Sequence, residues 1–123
     1  MGKIEFIIYG RPASKKNSKQ LIHVHGRPMF IPSKAYQEFE KDALKQLLVV
    51  RGIVKKPIAY PITMSVTLMQ KGHLTQDYDN ALGAIGDVLQ KAGIISDDKL
   101  IKHGSWDVEG EYDEWKTKIQ LEW

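Results

Sequence analysis

Two hydrophobic rhythms alternate along this chain. Lys3–Tyr9 reads KIEFIIY, an apolar and β-branched run that predicts a first strand. After a polar stretch, Gln20–Val24 and Pro28–Ile31 flank His25-Gly26-Arg27, the pattern of a short hairpin. Ser33, after Pro32, is suited to cap a helix. From there Tyr36, Phe39, Ala43, Leu44, Leu47 and Leu48 recur at helical spacing, predicting a helix to about Val50 that Gly52 closes. Ile62, Met64, Val66 and Leu68 then alternate with Thr63, Ser65, Thr67 and Met69, a strand with one buried face. A second helix is expected over about Asp79–Ala92, its buried side formed by Leu82, Ile85, Val88, Leu89 and Ala92, with Lys91 and Gly93 marking its end. Ile94–Asp98 reads as a connector. Leu100–Val108 and Trp115–Trp123 read as closing strands around a solvated turn, EGEYDE. Strands and helices interleave without a regular βαβ rhythm. The expected class is α+β, a single mixed β-sheet with two main helices packed on it.

Length and composition narrow the setting. At 123 residues the chain is expected to form a single domain, 1–123, large enough for its own core. The absence of cysteine excludes disulfides, zinc–thiolate sites and thiol nucleophiles. No apolar run approaches the ~20 residues of a membrane span, and the N-terminus is too short and too charged for a signal peptide, so no membrane association and a cytoplasmic location are expected.

The net charge of +3 hides an asymmetry: residues 1–60 carry 12 Lys/Arg against 4 Asp/Glu, and residues 61–123 carry 6 against 11. A basic half can neutralise phosphates. An acidic half repels them unless a cation intervenes. The pairing is what a metal-dependent nuclease needs, though charge alone is equally satisfied by an uneven surface.

The acidic residues come in two groups. Asp77-Tyr78-Asp79-Asn80 opens the second helix. In extended backbone, carboxylates two apart face the same way and can share a hard divalent cation. The same tetrapeptide is also good helix capping beside an electropositive helix end. Asp97-Asp98 follows the helix. Asp79 to Ala92 is about 20 Å of helix, and Gly93 to Asp98 spans at most about 17 Å. The connector can therefore fold back toward Asp79, or present Asp98 at the far end or to a partner subunit. Asp87, two turns after Asp79, can orient a ligand from the same flank or simply face solvent. The loop GRPASKKNSK places Arg11, Lys15, Lys16 and Lys19 within nine residues, suited to phosphate contacts or to a solvated surface. The histidines at 23, 25, 73 and 103 show no metal-ligand spacing, and only His73 lies near the Asp pair.

Taken together, DYDNALGAIGDVLQKAGIISDDKLI resembles the signature of RusA-type Holliday junction resolvases: an Asp-x-Asp-Asn start, a helix with an internal Asp, a Lys-x-Gly helix end, and an Asp-Asp pair before a strand. The stretches GRPASKKNSKQ and IPSKAYQEFEKDA are similar to the N-terminal half of phage-type members. The resemblance covers nearly the whole chain. It implies a homodimer that resolves branched DNA, the four-way junction, by Mg²⁺-dependent hydrolysis, with Mn²⁺ as an alternative cation. It implies Asp77, Asp79 and Asp98 as catalytic and metal-holding carboxylates, with Asn80, Asp87 and Asp97 supporting them. Arg11, Lys15, Lys16 and Lys19 would grip the DNA. One departure stands out. Many members place a lysine four residues after the second motif aspartate, and here that position is Gly83. Lys91, Lys99 and Lys102 are the nearby cations that could take its role. The rival readings are a DNA-binding protein without catalysis and a nuclease acting on flaps or RNA.

Overall fold

A computed structural model describes residues 2–13, 19–32, 34–71 and 78–123, with side chains over 2–13, 23–29, 34–71 and 81–123. The elements in order are β1 (Lys3–Tyr9), β2 (Lys19–Val24), β3 (Arg27–Pro32), α1 (Lys34–Val54), β4 (Ile62–Lys71), α2 (Tyr78–Lys91), a 3₁₀ turn (Asp98–Leu100), β5 (Ile101–Tyr112) and β6 (Lys116–Glu122).

Four strands form one mixed sheet in the order β1-β6-β4-β5. β6 runs antiparallel to both β1 and β4, while β4 and β5 are parallel. Parallel neighbours need a crossover connection, and α2 supplies it. The fold is thus α+β with a single βαβ unit inside it, and that unit carries the acidic motifs. β2 and β3 form a separate two-stranded sheet. Its two-residue turn, His25-Gly26, has positive φ at both positions (51° and 77°), the backbone twist that a tight hairpin requires.

Alternation sorts β4 as expected: Ile62, Met64, Val66 and Leu68 are buried, while the intervening residues face outward. These four pack with Ile8, Ile119 and Leu121 from the flanking strands, with Phe39, Ala43, Leu47 and Val50 from α1, and with Ala81, Ala84, Ile85, Val88 and Leu89 from α2. Truncating one fully buried aliphatic here, Leu47→Ala, costs ~2–5 kcal/mol through lost burial and the cavity left behind.

Three expectations are corrected. Gly52 does not end α1: the helix runs on to Val54, and the left-handed residue is Lys55 (φ 67°), whose N–H donates to the Arg51 carbonyl at 3.0 Å. Pro57 explains the stop, since its ring blocks helical backbone just before it. An exposed glycine costs a helix only ~1 kcal/mol, too little to end it while Val54 still packs on the core. Leu48, expected on the buried side, is 72% exposed, and Val50 takes the inward position. EGEYDE is not wholly a turn, because β5 continues through Glu109–Tyr112. Among the described residues no helix is long and apolar enough to cross a membrane.

Candidate active site

The acidic site is assembled by the way α2 ends. Gly93 adopts φ 75°, its N–H donates to the Gln90 carbonyl at 3.1 Å, and the Ile94 N–H donates to the Leu89 carbonyl at 3.0 Å. This is the Schellman arrangement, in which a left-handed glycine satisfies the last carbonyls and turns the chain back. Ile94 and Ile95 then enter the core. Backbone bonds to Ile58 hold them there: the Ile58 N–H donates to the Ile94 carbonyl, and the Ser96 N–H donates to the Ile58 carbonyl.

With two isoleucines pinned, the next residues return along α2. Asp97 caps the 3₁₀ turn, its Oδ1 accepting the Lys99 N–H at 2.8 Å. The Asp98 N–H donates to the Gln90 side-chain Oε1 at 2.9 Å. Asp98 lies against Gly86: a methyl group on that glycine would meet Asp98 Cβ at 3.6 Å and Ile101 Cδ1 at 3.7 Å, ordinary contact. Of the routes that spacing left open, the chain therefore takes the one that folds back along the helix. Asp79 lies seven residues before Gly86, two turns away on the same flank, or about 10 Å along the axis.

Asp87, Gln90, Lys91, Asp97, Asp98 and Lys99 line one open cleft of about 420 Å³, with Tyr36 of α1 at its floor. Asp87, Asp97 and Asp98 are all half-buried there. Lys91 Nζ donates to Glu40 Oε1 at 2.8 Å, so this cation ties α2 to α1. The Tyr36 hydroxyl faces the same carboxylate. Burial first, then the neighbouring Glu40 carboxylate and the negative charge of Asp87, push its pKa well above the ordinary tyrosine value. Lys99 and Lys102 are exposed. A Cβ at Gly83 would meet no atom within 4 Å, so a side chain fits there without displacement.

Asp77 and His73 lie outside the described residues, as do Lys15 and Lys16. Asp79 and Asn80 are placed by their backbone in the first turn of α2, and Lys19 by its backbone at the start of β2. Arg11 is exposed, its guanidinium 4.9 Å from the centre of the Trp115 ring. Among the described residues no three His, Asp or Glu side chains converge as a metal-binding group. Gln90, Glu40 and Tyr36 escaped the sequence reading. Only the position of Gln90, one turn after Gly86 on the flank facing Asp98, could have pointed to it.

No family model matches the chain. It is 31% identical over 101 residues, 82% of its length, to a crossover junction endodeoxyribonuclease RusA of Aquifex aeolicus (strain VF5), and the match spans 76% of that protein. An identity of that level, sustained across 82% of this chain and 76% of the relative, places this chain in the RusA family of crossover junction endodeoxyribonucleases.

Proposed function

We propose that the chain is a Mg²⁺-dependent endodeoxyribonuclease that resolves four-way DNA junctions by paired phosphodiester hydrolysis, acting in recombination and repair. The observation that carries this reading is the return of Asp98 onto the flank of α2 that begins with Asp79. Family membership supports the reaction class, since the Aquifex relative bears the name of a junction nuclease.

In this reading Asp77, Asp79 and Asp98 hold the cation, all with oxygen donors of the hard kind that Mg²⁺ and Mn²⁺ take. A cation held there would supply charge neutralisation at the phosphate and would acidify a bound water. The protein's own contribution is placement. The Schellman turn and the buried Ile94-Ile95 pair fix where the chain returns, and Gln90 fixes the backbone of Asp98. Asp97 caps the turn. Asp87 lines the same cleft and sets its negative potential. Lys99, on the rim of that cleft, can meet phosphate charge in place of the lysine that Gly83 replaces. Arg11, Lys15, Lys16 and Lys19 contact the DNA backbone. A homodimer follows from the chemistry, because two symmetric cuts in a two-fold junction call for two symmetric sites. The phage-type character of the N-terminal half belongs to the same reading.

The test is cleavage of a synthetic four-way junction with and without Mg²⁺, beside linear duplex and flap substrates. Paired Mg²⁺-dependent cuts in the junction alone are expected. Junction binding without cutting under any divalent cation would favour the binding-only reading, to which Gly83 lends support. Preferential cutting of flaps would redirect the activity to other branched substrates.

A further inference from the structure

We propose that the β2–β3 hairpin is a DNA-binding arm that lies in the major groove of a duplex arm of the substrate. This rests on the reading that the chain binds DNA and adds a contact which that reading does not contain.

The described side chains of the hairpin stand apart from the core. It forms its own two-stranded sheet, and the core cluster takes no residue from it among those described. The described side chains of its distal half, His23 to Met29, are all exposed. A lone two-stranded ribbon is marginal in water, so a partner surface completes it. Charge identifies that partner. Between Glu5 and Glu38 there is no acidic residue, while Arg11, Lys15, Lys16, Lys19, Arg27 and Lys34 carry six positive charges. A ribbon free of carboxylates and edged with cations suits a polyanion.

Shape and placement agree. The major groove admits a two-stranded β-ribbon, and six-residue strands give the arm a reach of about 20 Å. Val24 pairs with Arg27, and Met29 lies two residues further along β3, so one face of the tip presents a guanidinium between two exposed apolar side chains. Arg27 can reach phosphate or a guanine edge, and Val24 and Met29 can meet thymine methyls. His23 and Pro28 form the opposite face. The chain leaves β1 toward the arm from the same end of the sheet at which β4 leads into the Asp77–Asp79 segment: Tyr9 and Met69 both pair with Lys116. The chain segments leading to the arm and to Asp79 thus leave the sheet at the same end.

The experiment measures affinity for a four-way junction and for linear duplex by fluorescence anisotropy across a salt series, in EDTA so that no cutting occurs. Wild type, Arg27→Ala, Arg27→Lys and Lys118→Ala are compared. Lys118 is a half-buried lysine paired with Glu5 on the main sheet, so its loss removes one charge away from the arm. For Arg27→Ala, the slope of log K against log [salt] is expected to shrink by about one, and binding to weaken by about eightfold at 0.1 M salt, the factor one released counterion contributes. Arg27→Lys should keep the slope, and Lys118→Ala should leave it unchanged. An unchanged slope and affinity in Arg27→Ala, with wild type binding normally, would overturn the arm. So would a loss of binding that tracks a shift from dimer to monomer in sedimentation, which would assign the hairpin to the subunit interface. Wild type that binds neither DNA would instead bring down the nuclease reading itself.

Discussion

The βαβ unit β4-α2-β5 and the β2–β3 hairpin stand in opposite relations to the core. The unit is anchored through β4, the described part of α2 and the connector: Val66 and Leu68 of β4, Ile85 and Leu89 of α2, and the connector residues Ile94 and Ile95 are fully buried. The hairpin's distal half is exposed and contributes nothing described to that cluster. The difference follows the work each would do. Carboxylates that share a cation must be held to within a fraction of an ångström, which a rigid, packed element achieves. A groove-binding ribbon has to adapt to its DNA and draws its order from the contact.

The comparison breaks first at the carboxylates. Asp79→Asn and Asp98→Asn are each expected to lower Mg²⁺-dependent junction cleavage by about a hundredfold or more, on the scale of losing one group that stabilises the transition-state charge, while DNA affinity in EDTA stays within about twofold of wild type. Cleavage that survives either change would separate the anchored unit from catalysis.

A smaller effect is expected at Gln90. Gln90→Met keeps the side-chain length and removes the acceptor for the Asp98 N–H. It should raise the Mg²⁺ concentration for half-maximal cleavage by about tenfold, as for loss of a group that orients a metal ligand. Gln90→Glu, which still accepts that hydrogen bond, should recover most of the loss. Equal Mg²⁺ profiles in all three proteins would show that the turn holds Asp98 without help.

Gly83→Lys tests the departure from the family pattern. The position is open, so the lysine fits. Replacing an exposed helical glycine should add up to ~1 kcal/mol of stability in urea denaturation. If a cation is what the cleft lacks, cleavage rises several-fold. A gain in stability with no gain in rate would leave Lys99 as the cation that suffices.

The smallest effect lies at the floor of the cleft. The folded-state pKa of Tyr36 is raised, chiefly by burial. Its contribution is therefore complete below the unfolded value near pH 10 and is lost as pH climbs above it. Tyr36→Phe removes that ionisation, should leave stability at neutral pH within ~1 kcal/mol of wild type, and should flatten the alkaline decline in thermal stability above about pH 10. An alkaline limb unchanged in the variant would assign that decline to other groups.

Whatever rests on near neighbours was legible in the sequence. Alternation over Ile62–Met69, the run of β1, a hairpin turning at His25-Gly26-Arg27 (tightened in the fold to His25-Gly26, with Arg27 in β3) and the glycine stop at Gly93 each follow from side-chain period or backbone sterics acting over a few residues. Where a local cue competed with packing it misled. Gly52 read as a helix end because glycine ends many helices, yet the burial of Val54 outweighs one residue's propensity. Leu48 matched the helical period, but only contact with the sheet decides which of Leu48 and Val50 turns inward.

The candidate site divides in the same way. Sequence alone determined that this chain carries two carboxylate pairs about twenty residues apart, a basic first half and a helix between the acids that stops at a glycine. It left undecided whether the second pair returns to the first, because five connector residues permit either path. Tertiary structure decides the direction of the connector, which turns back along α2 as far as Gly86, about two turns short of Asp79. Burying Ile94 and Ile95 beside Ile58 steers the connector back along α2, and Gln90 then takes hold of Asp98. Bringing together residues eight to 37 apart depends on a hydrophobic core that only the folded chain possesses.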